Sequence, residues 1–250
     1  MFDETFDYQD YRSRYAQHVM FYEAGVSNRE KVFSARVAVI GLGAIAVEAA
    51  RLLAIAHVRL LRFIHWETAP ADIAEADLDM QAAPGENLPR GLGAIQALAE
   101  ANPSIAVETV NASEFANFAD LLRDIDLVLY ENGDSRRCTL VSETGRKLKK
   151  PWIYAEARGG SGMTVSVIPG RTACIGCVKS KVGSHDPGLS YAATVTDLIA
   201  RTISQVQAME ALKILGGSPS ISTEVYCFDV DNFGHTLTVA KDDACPSCSA

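Results

Sequence analysis

ARVAVIGLGAIAVEAARLLAIAHVRLLRFIHWE, residues 35–67, reads as strand, glycine turn, helix and strand in succession. Val37, Ala38, Val39 and Ile40 form a continuously apolar run, as a strand covered on both faces of a parallel sheet requires. Gly41-Leu42-Gly43 turns the chain. Residues 44–56 contain neither Pro nor Gly and carry Glu48 and Arg51 as their only charges, so they read as a buried crossover helix. Residues 60–64 supply the second strand. The turn follows the pattern Gly41-x-Gly43-x-x-Ala46, in which residues without a Cβ admit a ligand to the main chain and the positive helix end favours an anion. In dinucleotide sites an acidic residue about 20 residues past the turn holds a ribose hydroxyl. Glu67 is the candidate for that place.

The chain of 250 residues suits one α/β domain with additions. A hydrophobic fraction of 48% fits a soluble globular protein, and a net charge of -8 argues against nucleic acid or an anionic membrane as the principal partner. No apolar run reaches the roughly 18 residues that span a bilayer. The first residues, MFDETFDYQDYRSRY, are acidic and aromatic instead of basic then apolar, so a cytoplasmic address is expected.

Residues 1–34 are expected to form an N-terminal helical arm, because Tyr11, Tyr15, Val19 and Tyr22 recur at helical spacing; Gly25-Val26-Ser27-Asn28 should break it, and residues 29–33 should lead into the first strand. Residues 35–250 read as one domain. The segment 68–90 lacks periodicity and holds Pro70, Pro84 and Pro89 among acidic residues, which marks a long loop beside the glycine turn. Helices expected at 91–102, 113–122 (with Ser113 as N-cap) and 138–149 alternate with strands at 105–110, 125–130 and 152–157. Such alternation predicts a doubly wound, mostly parallel, Rossmann-like sheet. Residues 163–168 and 172–178, around Pro169-Gly170, read as an antiparallel hairpin. The longest helix falls at 192–215, stopped by Gly216-Gly217, with short strands at 225–228 and 236–240 completing an antiparallel C-terminal extension.

Cys174-Ile175-Gly176-Cys177 and Cys245-Pro246-Ser247-Cys248 are two C-x-x-C pairs, each at the spacing that grips one side of a tetrahedral ion. In a reducing compartment they read as the four thiolates of one structural zinc site that clips the chain end to the domain, with a redox dithiol as the rival reading. Cys138 and Cys227 read as ordinary buried cysteines.

This order of features resembles the ubiquitin-activating-enzyme superfamily in its small bacterial form, the MoeB/ThiF/HesA adenylyltransferases. The residues that carry the resemblance are Arg14-Tyr15, the RVAVIGLGAI turn, Asn102-Pro103, Asp126-Leu127-Val128-Leu129, the paired cysteines, and Gln207-Ala208-Met209-Glu210-Ala211-Leu212-Lys213. The resemblance implies a protein that uses ATP and magnesium to adenylate a carboxylate, usually the C-terminus of a ubiquitin-like carrier. It places Gly41, Gly43 and Glu67 at the nucleotide, Arg14 and Arg90 at the phosphates, and Asp134 at the metal. Several positions depart from the family pattern. The first-helix arginine falls near Gln17, leaving Arg14 as a stand-in one turn earlier. The ribose-binding acid falls on His65, two residues before Glu67. The N-L-x-R-Q segment reads Asp77-Leu78-Asp79-Met80-Gln81, and the aspartate of D-x-x-D-N falls on Gly133 unless a one-residue slip brings in Asp134. The crossover-loop cysteine of some members falls near Ser190.

Two functions remain open on the sequence. One is a degenerate pseudoenzyme, acting as a scaffold or as the inactive half of a heterodimer with an active homologue, since Asp77 and Asp79 would repel a triphosphate. The other is an active adenylyltransferase with a rebuilt site, whose substrate is a ubiquitin-like carrier or a small carboxylate. Either as a homodimer or as a heterodimer, association is expected from the apolar faces of the first helix.

Overall fold

The computed structural model describes residues 26–66, 90–112, 118–131, 135–182, 193–231, 234–242, 244–245 and 248. The decisive stretch forms β1 (Arg36–Ile40), α2 (Ala44–Ile55) and β2 (Leu60–His65), preceded by α1 (Val26–Ser34). After these come α3 (Arg90–Ala101), β3 (Ala106–Asn111), β4 (Leu127–Glu131), α4 (Ser135–Lys147), β5 (Trp152–Arg158) and β6 (Ser161–Val167). The chain ends in α5 (Ile175–Val182), α6 (Ala193–Gly216), β7 (Val225–Asp229) and β8 (His235–Leu237).

Among the described residues these strands make one eight-stranded sheet in the order β3-β2-β1-β4-β5-β6-β7-β8. The first five pair in parallel and β6, β7 and β8 continue it antiparallel, as the alternation of periodicities predicts. The order reverses at β1. Chain leaving β1 goes outward through β2 and β3, then returns to β4 on the other side, so the crevice between the ends of β1 and β4 is the switch point at which such sheets bind ligands.

Strand alternation splits the core between two faces. Val37, Val39, Leu127, Leu129 and Ile153 point to one side, where they meet Ala49, Ala50 and Leu53 of α2 and Ala208 and Ala211 of α6. Ala38, Ile40, Val128, Tyr130, Trp152 and Tyr154 point to the other, against Val141 of α4 and Ile175 and Val178 of α5. Two polar side chains of α6 fix it to the first face. Gln207 donates from Nε2 to the Ile153 carbonyl at 3.2 Å, and the buried Glu210 carboxylate accepts from Lys213 Nζ at 2.7 Å, the Ser222 amide at 3.0 Å and the Tyr226 hydroxyl at 3.3 Å.

Three expectations are corrected. Residues 172–178 do not return as a hairpin strand: α5 occupies 175–182, and β6 pairs with β5 and β7 instead. Ile175, Cys177 and Val178 are buried on one side of that helix while Gly176 is exposed, a helical and not an alternating pattern. Val26, Ser27 and Asn28, expected within a turn, and residues 29–33, expected to lead into the first strand, lie instead in α1, whose Val32 is buried against α6 at Gly216. The part of 113–122 that is described holds a 3-10 turn, Asp120–Leu122. There the Leu121 carbonyl accepts from Arg62 Nη1 at 2.9 Å. The arm read at residues 11–23 and the loop at 67–89 lie outside the described residues.

Candidate functional site

The glycine turn sits at the switch point. Gly41 has a φ of 124°, a conformation that favours glycine, and its amide donates to the Ile64 carbonyl at 3.3 Å. Gly43 is the N-cap of α2 with extended backbone and has no side chain with which to cap. The first amides of α2 therefore need an acceptor from elsewhere, because they have no partner within the helix.

Glu131 supplies it. Its strand pairs with β1 in the register Ile40↔Tyr130, which sets Glu131 opposite the turn, on the same sheet face as Leu129 and α2. The carboxylate accepts from the Gly43 amide at 2.8 Å, the Ile45 amide at 3.2 Å and the Ala46 amide at 3.4 Å. It also lies so close to Gly43 that a Cβ there would stand 2.4 Å from Oε1 and 2.6 Å from Oε2. A carboxylate of the chain itself thus occupies the place where the backbone of a helix N-terminus would receive an anionic ligand. The sequence gives Glu131 no role, since it lies just past the strand expected at 125–130. The signal that would have found it is an acid one residue past the partner of Ile40, visible only once the strand register is known.

Beside the turn, β2 ends at the half-buried His65, followed by Trp66 at 8% exposure. Trp66 stacks on Phe118 with ring centroids 5.8 Å apart, and the Arg137 guanidinium lies 5.0 Å from its ring centre. Arg90 begins α3, and Gly41 and Gly43 form the turn as expected. Arg14, Glu67 and Asp134, together with Gln17, Asp77, Asp79, Gly133 and Ser190, lie outside the described residues.

The four cysteines converge on the opposite face. Cys174 and Cys177 lie at the start of α5, and their sulfurs are 3.7 Å apart; Cys174 Sγ lies 3.5 Å from Cys245 Sγ, and Cys177 Sγ 3.5 Å from Cys248 Sγ. All four sulfurs fall within 4.8 Å of one another. Four thiolates about 2.3 Å from a tetrahedral zinc stand about 3.8 Å apart along each edge, so the donor set and its spacing fit that ion. Burial pushes the Cys174 thiol up to about 12 and raises Cys177 in the same direction, a cost that a bound divalent cation offsets by holding the thiolates. Cys138 and Cys227 are both buried.

Between α4 and α5, a shallow groove is lined by Ser135, Cys138, Thr139, Glu143 and Lys179, and Lys179 Nζ lies 4.8 Å from the ring centre of Tyr154. The Tyr154 hydroxyl donates to Glu156 at 2.7 Å, and burial raises its pKa. Among the described residues no helix is long and apolar enough to cross a membrane.

Comparison with known proteins agrees with this architecture. The sulfur carrier protein ThiS adenylyltransferase of Bacillus subtilis (strain 168) is 24% identical over 244 residues, an alignment that covers 94% of this chain and 71% of the relative. The heterocyst protein HesA of Trichormus variabilis is 25% identical over 242 residues, covering 94% and 88%. Among solved structures, E. coli MccB with ATP superimposes with a TM-score of 0.75 at 16% identity, covering 95% of this chain and 75% of that one, a likeness of fold. The ThiF family model matches residues 15–250. This protein therefore belongs to the ThiF family, whose relatives include adenylyltransferases and HesA proteins.

Proposed function

We propose that this chain is a degenerate ThiF-family subunit: a scaffold, or the inactive half of a pair with an active homologue, within a complex that activates a carrier protein or a small carboxylate. The observation that carries this reading is Glu131 on the glycine turn, its carboxylate 2.8 Å from the Gly43 amide. A triphosphate cannot share those amides with it. Two like charges about 4 Å apart repel by about 4 kcal/mol at an effective dielectric constant near 20. Asp77 and Asp79, in the segment where the family pattern has N-L-x-R-Q, add charge of the same sign. The cysteine cluster serves in this reading as a structural zinc clip, which suits a reducing, cytoplasmic compartment.

A second reading has its own support, since the backbone of the turn keeps the geometry of a ligand-binding glycine turn and Glu131 is a side chain that can rotate away. Gly41, Gly43 and Glu67 would then hold the nucleotide, Arg14 and Arg90 the phosphates, and Asp134 the magnesium of an active adenylyltransferase. Calorimetric titration of ATP and magnesium into the zinc-loaded chain separates the two. The degenerate reading expects no heat of binding. Micromolar binding, followed by pyrophosphate release when a carrier C-terminus or small acid is added, would overturn it.

A further inference from the structure

We propose that the groove between α4 and α5 is a docking surface for an extended, Asp- and Glu-rich segment of a partner protein. This goes beyond the proposed function and stands whether or not the glycine turn admits ATP.

Charge is segregated along the chain. Residues 135–150 and 175–182, which are α4 with the turn after it and α5, hold eight of the 23 Lys and Arg side chains but only Glu143 of the 31 Asp and Glu side chains. The remainder carries twice as many acidic as basic side chains. A basic surface on an otherwise acidic molecule draws an acidic partner to that one place.

The lysines of this surface are not neutralised from within. On other elements Arg36, Arg51, Arg62, Arg123, Arg201 and Lys213 are each in an ion pair. Lys147, Lys149, Lys150, Lys179 and Lys181 form none among the described residues. Lys179 is instead held over the Tyr154 ring, its Nζ 4.8 Å from the ring centre, so one ammonium is positioned without being discharged.

The groove has the shape and chemistry for a main chain. Ser135, Thr139 and Ser142 recur at i, i+4 and i+7 along α4 as a wall of hydroxyls, with Gly176 and Lys179 of α5 also lining a volume of about 150 Å³. Gly176 is exposed within a helix, where alanine is the more stable residue. Its φ is not positive, and a Cβ there would meet only the Cys174 and Cys245 sulfurs, at the ordinary contact distances of 3.5 and 3.8 Å. Neither packing nor backbone conformation asks for glycine, and what its bare backbone gives is room for a second chain to lie close. The 13 residues of α4 make a wall about 20 Å long, which an extended segment of about six residues covers. Carboxylates of that segment pair with the lysines, and its peptide groups bond to the hydroxyls. A nucleic acid is the less suited polyanion, because no aromatic side chain lines the groove for bases to stack on.

The test uses the full, zinc-loaded chain and fluorescein-labelled octaglutamate, followed by fluorescence anisotropy. Saturable binding is expected at low salt, weakened about tenfold at physiological ionic strength. Lys147→Glu with Lys150→Glu, and Lys181→Glu alone, should each weaken it several-fold. Ser142→Tyr, which fills the groove and leaves the charge unchanged, should weaken it too. The control pair Lys31→Glu with Arg59→Glu, exposed in α1 and before β2, should leave it within a factor of about two, the size of a screened long-range effect. Nuclear magnetic resonance of the unmodified chain serves should any variant fail to fold: octaglutamate should shift the amides of α4 and α5 and spare those of β1, β2 and β3. Absence of saturable binding at low salt, shifts outside α4 and α5, or equal weakening by the control pair would overturn the proposal. Tighter binding of an oligothymidylate of equal charge would overturn it in favour of a nucleic-acid surface.

Discussion

At the scale of single residues, the crevice turns on one pair, Gly43 and Glu131. The glycine is legible in the sequence, because the G-x-G-x-x-A pattern after an apolar strand names it. The glutamate is not, because the amides it caps lie 85 to 88 residues away and nothing local marks the contact. A sequence pattern reports what a segment can do alone, and a cap donated from another strand is a tertiary event. The pair makes a direct energetic prediction. An anionic cap at a helix N-terminus contributes about 1–2 kcal/mol when partly buried. Gly43→Ala should lose about that much, since the new Cβ would evict the carboxylate, and Glu131→Ala should lose about the same. The double variant should cost little more than either single one, because both changes break the same contact. Urea denaturation of the four proteins gives the coupling directly. Additive losses would mean that Gly43 and Glu131 act independently and that the cap is not what the glycine serves.

Secondary-structure elements are legible in the sequence where hydrophobic pattern and length agree. β1, α2 and β2 follow the quoted stretch almost residue for residue, because a buried parallel strand has no polar face to confuse with anything else. α5 is not legible as a helix because Thr172-Ala173-Cys174-Ile175-Gly176-Cys177-Val178 is short, apolar and preceded by Pro169-Gly170, and a run of that length does not distinguish a strand from a short buried helix. The cysteine spacing held the better clue, since i and i+3 share a helical face whereas in a strand they point apart. One link between elements was invisible in the sequence. Arg62 of β2 is paired with Glu108 of β3 at 2.7 Å, and its two terminal nitrogens reach Asp124, before β4, at 2.7 and 3.1 Å. The Arg36 guanidinium of β1 also pairs with Asp124. The Arg62 hydrogen bond, with the charges of both arginines, holds the Asp124 carboxyl at about 2, well below its ordinary value. A carboxylate whose pKa is lowered in the folded state stabilises that state above its unfolded pKa, near 3.9, and ceases to do so as pH falls through about 2. Asp124→Asn should therefore cost up to about 1 kcal/mol at neutral pH, after allowance for solvent screening. That difference should shrink between roughly pH 4 and pH 2 in thermal melts of the two proteins. A constant difference across that range would show that the aspartate acts through its shape and not its charge.

For the molecule as a whole, the two sheet faces are secured by different means. The face under α2 and α6 is closed by packing and by the buried bonds of Gln207 and Glu210, residues that belong to long, well-covered elements. On the other face, the chain beyond β8 runs through exposed positions, and past the buried Val239 it is the cysteines that meet α5. A segment with so little apolar surface to bury gains little from packing and needs another tie to stay ordered. The cluster of Cys174, Cys177, Cys245 and Cys248 joins that segment to α5, and a metal held by all four thiolates would couple the two. If that cluster holds zinc, removing the ion should loosen one face and spare the other. With a zinc-selective chelator, the melting temperature should fall, amides of 175–182 should exchange faster, and trypsin should cut at Lys241, while amides of β1, α2 and β4 keep their protection. Returning one equivalent of zinc should reverse all three changes. A chelated protein shown by elemental analysis to be metal-free, yet with unchanged melting and exchange, would mean that packing alone holds the chain end. Uniform loss of protection across both faces would mean instead that the sheet unfolds as one unit, with the clip contributing to global stability and not to the local anchoring of its own segment.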